Sequence, residues 1–412
     1  MQNVSRITDT AVPPRLGRDF RWLLSSSLVN NVGDGIVLAA GPLLVASLTR
    51  DPFLVSLALL FHYLPALLFA VVGGAVADRI DRRRMVIVAN VGRALVLSFL
   101  VVTIVSGNVN IAVVLAAIFL LGTAETFADS ASSTLLPSMV AREDLGVANA
   151  RMQGAFVLLN QLVGPPIGAF LFVVGMALPF AANAAAFLLG AVLISRISSS
   201  IGQVRRASSG EEGTFRTDLR DGFRWLAGHA PMRTLALTIF AFNVTYGAAW
   251  GVLVLYAGDR LHMDAVGFGL LTTAAAIGGV AGTLSYGALE RRFSLGNIMR
   301  IGLVIETLTH FGLALTTSPV VAFAVMLVFG AHEFVLETTT TVVRQRAVPN
   351  ELLGRVGGVY RVASVGGLVV GTPVGGLLAA AFGITAPFWF GFVGSAVLVA
   401  LLWRQFAHIA HG

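Results

Sequence analysis

Asp34 lies in the stretch NNVGDGIVL, about fourteen residues into the first apolar segment of the chain. At about 1.5 Å per helical residue that is roughly 20 Å, close to the middle of a bilayer. Holding an ionisable group there costs several kcal/mol, so such a residue is a functional candidate by default. A carboxyl group in that setting can take up and release a proton, which is the chemistry of proton coupling. The alternative is a hydrogen-bonded structural Asp. Asn30 and Asn31 lie about one turn before it. Glu125 and Asp129 stand four residues apart and share a helix face, and Glu333 and Glu337 repeat that spacing. Two acids on one face could attract a cationic ligand. In FNVTYGAAW, the side chains of Phe242, Asn243, Tyr246 and Trp250 could stack an aromatic substrate, with ordinary helix packing as the equal alternative. Arg93, the Glu306–His310 pair, His332 and His62 are further ionisable groups within apolar segments.

What the chain lacks narrows the chemistry. It has no cysteine, so no disulfide and no thiolate metal site. It has no lysine, and its 28 basic residues are all arginine. A standard P-loop ATPase needs a lysine at the phosphates, and retinal or pyridoxal chemistry needs a lysine amine. No HExxH cluster or nucleophile–base motif speaks for an intramembrane enzyme, and no cofactor or metal is expected. The isoelectric point of 10.8 would suit nucleic acid. The arginines, however, are scattered over short loops, where membrane topology accounts for them and no nucleic-acid partner is expected.

The elements that position these groups are apolar throughout. Hydrophobic residues make up 56% of 412 and charged residues only 12%, with a mean hydropathy of +0.83. A spanning helix needs roughly 20 apolar residues. Twelve candidates occupy nearly the whole chain, near 22–48, 53–77, 85–106, 109–136, 148–174, 178–196, 232–258, 266–290, 297–316, 319–343, 355–382 and 386–406. The expected class is an all-α integral membrane protein. Residues 1–19 lack the apolar core and cleavage site of a signal peptide, so the first helix is read as uncleaved. With the N-terminus inside, the inner segments are 1–21, 78–84, 137–151, 196–233, 290–300, 344–361 and 404–412. They hold almost every arginine, whereas the outer turns hold Arg50 and Arg260. Both termini are therefore expected in the cytoplasm.

The chain also repeats itself. At an offset of 207, Asp144 meets Glu351, Gly164 meets Gly371, Pro166 meets Pro373 and Gly168 meets Gly375. One residue further, Gly122 meets Gly330, Glu125 meets Glu333 and Asp129 meets Glu337. Two six-helix bundles, 1–196 and 232–412, are expected on either side of a cytoplasmic linker at 197–231. Membrane transporters are commonly built from such repeats. The linker begins Ser/Gly-rich and ends in DLRDGFRWLAG, which reads as a short amphipathic helix on the inner face.

GAVADRIDRRR, residues 74–84, packs its charges into a turn between the second and third segments. It resembles the signature G-x-x-x-D-[RK]-x-G-[RK]-[RK] of the major facilitator superfamily. Gly74, Asp78, Arg79, Arg82 and Arg83 match, and Asp81 stands where the pattern has Gly. GPPIGA at 164–169 resembles the helix-five signature of the superfamily's antiporters, with Asn160 and Ala169 in place of two glycines. DGFRWL at 221–226 and LLGRVGGV at 352–359 look like the branch that includes macrolide efflux proteins and enterobactin exporters. The fourth-helix arginine of many drug–proton antiporters is missing; Glu125 and Asp129 stand near that place.

The resemblance implies twelve helices in two bundles, with helices one, four, seven and ten around a cavity. Glu125 and Glu333 are then the deeper cavity candidates, while Asp129 pairs with arginines of the 78–84 loop. It implies a gating latch at Gly74, Asp78, Arg79, Arg82, Arg83 and Asp129. Gly164, Pro165, Gly168, Gly371, Pro373 and Gly375 become packing and bending points. The expected activity is alternating-access secondary transport in a bacterial cytoplasmic membrane: proton-coupled export of amphipathic small molecules such as drugs, macrolides or siderophores. A monomer in lipid, with a small-molecule substrate and protons as partners, is expected. An importer or a lysophospholipid flippase is the alternative within transport, and a non-transporting scaffold or receptor is the alternative class. A scaffold gains nothing from buried acids.

Overall fold

A computed structural model describes residues 14–77, 79–198 and 215–405. Asp78, the Ser/Gly-rich start of the linker and both chain ends lie outside them. All regular structure among the described residues is helical. In chain order the helices are α1 (Gly17–Leu48), α2 (Pro52–Ala77), α3 (Arg82–Val105), α4 (Ile111–Met139), α5 (Arg142–Val174) and α6 (Leu178–Ser195). There follow α7 (Phe215–Gly228), α8 (Ala230–Trp250), α9 (Leu253–Asp259), α10 (Ala265–Arg292), α11 (Leu295–Leu315), α12 (Pro319–Ala347), α13 (Asn350–Phe382) and α14 (Ala386–Leu402).

Ten of these are long and apolar enough to cross a membrane. The pair α8 and α9, bent by 41° at Gly251, makes an eleventh. The last expected span is the 17-residue α14, apolar but shorter than the rest. Large apolar side chains face outward along the spans, Leu284 with 82% exposure among them. That is the surface expected of helices solvated by lipid tails. Local sequence sets the ends. Asp81, Asn110 and Asp264 accept hydrogen bonds from the backbone N–H groups of Arg84, Val113 and Gly267, at 3.1, 3.1 and 2.7 Å, which caps α3, α4 and α10.

The chain divides into two compact units, Met1–Leu44 with Leu68–Gly210, and Val45–Leu67 with Glu211–Gly412. Each has its own apolar core. One gathers Phe20, Met85, Leu135 and Ile194, the other Met232, Met299, Val343 and Tyr360.

Glycines set close helix crossings, and one kind recurs in both units. In the first unit, a Cβ at Gly164 or Gly168 of α5 would collide with the backbone of Gly35 or Ile36 in α1. In the second, a Cβ at Gly371 or Gly375 of α13 would collide with the backbone of Val244 or Ala248 in α8. The repeat seen in the sequence is thus a repeat of helix contacts. Immediately before Gly164, residues Phe156–Val163 wind as a π-helix. Pro165 and Pro166 have no N–H to donate to the preceding turn, which favours this wider winding.

Helix α7 meets the expectation of a short helix at DLRDGFRWLAG. It lies on α13. Gly222 allows close approach to the Arg355 backbone, and the Asp221 carboxylate lies 3.6 Å from the Arg355 guanidinium.

Candidate functional site

The ionisable groups singled out from the sequence gather in two places, one in each unit. In the first unit, α1 is held against α6 by polar contacts. Ser26 donates to the Gly190 carbonyl at 3.0 Å. Gly190 leaves room for the Asn30 side chain, and Gly33 leaves room for Asn183. One turn from Asn30, Asp34 is half-buried and hydrogen-bonds the Asn183 side chain. Its charged neighbours are Arg93 of α3 and Glu125 and Asp129 of α4. The guanidinium of Arg93 is buried and sits 4.9 Å from the centre of the Phe187 ring. Asp34 thus meets one cation and two anions. Asn31 turns back on its own helix and donates to the Ser27 carbonyl at 2.8 Å.

Sequence spacing singles out Asp34, Glu125 and Asp129 but gives no hint of Asn183. Nor does it join Arg93 to Asp34, since Arg93 reads as a peripheral structural charge. Those partners come from α3 and α6, far away in the chain.

In the second unit, α8, α11, α12 and α13 border a cavity of about 520 Å³. Leu235, Ile239, Phe242, Met299, Leu303 and Leu336 form its apolar wall. Asn243, Glu333, Glu337, Arg344, Tyr360 and Arg361 bring polar groups to it. Asn243 also donates to the Ile239 carbonyl at 2.8 Å, and Arg344 lies 5.2 Å from the centre of the Tyr360 ring. Apolar walls with a few convergent polar groups are the usual build of a small-molecule site.

The aromatic residues of α8 form a column. Tyr246 stacks on Trp250 at 4.5 Å and on Phe242 at 6.4 Å. Phe329 of α12 completes it, 4.5 Å from Trp250 and 5.9 Å from Tyr246. Helical spacing predicts the α8 members but not Phe329. Behind the column, Glu306 and His310 of α11 meet His332 of α12, all three buried.

The charged turn before α3 is tied to its own unit. Arg82 donates to the Thr134 carbonyl at 3.4 Å. Arg83 donates to the carbonyls of Ile194 and Ser195, at the last turn of α6. A cation there complements the negative end of the helix dipole. Arg79 is exposed, and a Cβ at Gly74 would meet nothing.

A model of the family described as transmembrane secretion effector matches residues 10–409. The multidrug efflux pump Tap of Mycolicibacterium fortuitum is 26% identical, over 89% of this chain and 90% of that protein. The enterobactin exporter EntS of Shigella boydii serotype 4 is 24% identical, over 89% of each. Among solved structures, a bacterial homologue of the iron transporter ferroportin in its inward-facing state superposes with a TM-score of 0.76. It is 16% identical, over 94% of this chain and 98% of that one.

Proposed function

The chain belongs to the transmembrane secretion effector family of major facilitator transporters, and from that premise we propose that it is a proton-coupled exporter of amphipathic small molecules. The observation that carries the reading is the cavity of the second unit, where apolar walls meet Glu333, Glu337, Arg344 and Arg361. Such a lining suits a molecule with one apolar and one polar end. The efflux and export named for Tap and EntS support the outward direction.

Coupling is assigned to Asp34. Its surroundings of one cation and two anions leave a negative balance that a proton can offset. A gradient drives a substrate only if the substrate binds one protonation state better than the other. Asp34 is placed to supply that difference, with Glu125 and Glu333 as the next candidates. The turn at 74–84, together with Asp129, is proposed as a gating latch in which Asp78 and Arg79 gate and Arg82 and Arg83 anchor to α4 and α6. The location is a bacterial cytoplasmic membrane with both termini inside.

Purified protein in proteoliposomes, under an imposed pH gradient, tests the reading against a panel of cationic, neutral and anionic compounds. The expected result is counter-gradient accumulation of at least one amphipathic compound, abolished by a protonophore. Accumulation in the opposite orientation would identify an importer. No gradient-dependent movement of any compound would overturn the proposal.

A further inference from the structure

The buried cluster on α11 and α12 has a proton balance that can be worked out from its atoms. His332 Nδ1 lies 2.7 Å from the Phe329 carbonyl. A carbonyl only accepts, so this nitrogen carries a hydrogen. Its other nitrogen, Nε2, lies 3.3 Å from Glu306 Oε2. If Glu306 were an ionised carboxylate and His332 a neutral imidazole, two lone pairs would face each other across that gap. On the far side of Glu306, His310 Nδ1 lies 3.1 Å from the Glu306 carbonyl and 3.3 Å from Oε1. Both are acceptors, so Nδ1 again holds the hydrogen, and a neutral His310 has none on Nε2.

Bulk solvent does not reach the contact. Glu306 and His310 are fully buried, and His332 is nearly so. Among the described residues, neither carboxylate oxygen has an aligned hydrogen-bond donor, and neither Nε2 has a partner. An ionised carboxylate held only by loose contacts at zero exposure is costly. Among the described residues, His310 and His332 are the ion-pair partners of Glu306. From α8 the near titratable group is Tyr246, which with Glu333 of α12 stands in the electrostatic neighbourhood of Glu306. Helix α14 contains no titratable residue, and its Gly391 packs against the His310 ring.

We propose that Glu306, His332 and His310 form a proton-binding site in which one proton is carried by either Glu306 Oε2 or His332 Nε2, which face each other at 3.3 Å. His310 is the positioning residue: its Nδ1 bonds the Glu306 backbone carbonyl and lies 3.3 Å from the other carboxylate oxygen. The proton is taken from water and returned to water, and no other group changes state. With the proton bound, the Glu306–His332 pair is neutral; without it, the pair is an anion. That charge is felt at Glu333, the residue next to His332, which lines the cavity. Proton binding at the cluster and ligand binding at the cavity are then reciprocally linked. The use of this link in transport rests on the proton-coupled reading above; the bound proton itself does not.

The test is therefore made on purified protein at rest in lipid nanodiscs, at neutral pH, with no transport involved. Histidine is labelled with nitrogen-15 and glutamate with carbon-13, and His332 and Glu306 are assigned by their loss in His332→Gln and Glu306→Gln. The expected result is a proton on His332 Nε2 or on the Glu306 carboxyl, or exchanging between them. In Glu306→Gln, His332 should keep only its Nδ1 proton. His310→Gln, which leaves the proton-sharing pair in place, should retain the shared proton but move the Glu306 carboxyl resonance. A wild-type Glu306 that is ionised beside a His332 with a bare Nε2 overturns the proposal. So does a His332 spectrum unchanged by Glu306→Gln. A transport assay can fail without touching either result, and these spectra can fail while transport stays proton-driven.

Discussion

At the scale of single residues, the argument for coupling rests on what surrounds Asp34. Asn183 hydrogen-bonds it, Arg93 offers it positive charge, and Glu125 and Asp129 oppose a third negative charge nearby. Asp34→Asn keeps the size and the hydrogen bond to Asn183 but cannot titrate. The expected outcome is a loss of pH-driven accumulation in inverted vesicles by about tenfold or more, equivalent to about 1.4 kcal/mol of driving free energy. Substrate binding to the purified protein should survive. Unchanged pH dependence in that variant would remove Asp34 from the coupling step and move attention to Glu125 and Glu333. Asn183→Ala should reduce coupling, because it removes the hydrogen-bond partner of the carboxyl; wild-type coupling in a folded variant would leave Asn183 a purely structural role. Of this environment the acids are legible in the sequence, since a charge in an apolar run stands out by its cost. Arg93 is visible there as a residue but not as a partner, and Asn183 not at all. Neither has a spacing rule that links it to Asp34, because the link runs between helices.

Among the helices, small residues decide where backbones can meet, and the same substitution should have opposite consequences at two glycines. Gly375 of α13 faces the Ala248 carbonyl so closely that any side chain must push the helices apart. Gly74, at the end of α2, has open space where a Cβ would go. Gly375→Ala should cost about 1–3 kcal/mol or more, as overpacking does, and lower the melting temperature. Gly74→Ala should leave melting unchanged and bear only on gating. Equal melting temperatures for the two variants would refute the assignment of α13 against α8 as a tight crossing. The doubled Gly-Pro-Gly pattern makes these crossings legible in the sequence, because an offset of 207 aligns both glycines of α5 with those of α13. Their partners on α1 and α8 are not legible there, since a glycine says that something comes close but not what. The π-helical winding at Phe156–Val163 and the bend at Gly251 are hidden as well. Apolar periodicity over so few residues does not separate one winding from another.

For the whole molecule, the proposed orientation, with both termini in the cytoplasm, rests on the arginines. Arginines crowd the turns at one side, and such a bias sets which side stays in the cytoplasm. The two exceptions have local employment. Arg50 pairs with Asp259 at 3.1 Å. Arg260 donates to the carbonyls of Thr316 and Leu315, at 3.2 and 3.1 Å, where α11 ends. A cation at that end is favoured by the helix dipole, so both residues have reasons to be arginine that are independent of topology. Reporter tags at the N-terminus, at the C-terminus and within 200–212 should then all be accessible from the cytoplasm. Arg50→Gln with Arg260→Gln should leave every tag where it was, because the bias comes from the opposite side. Either terminus found outside in the wild type would sink the orientation. A flip caused by the double variant would mean that the two outer arginines, rather than the crowded inner turns, hold the chain in place.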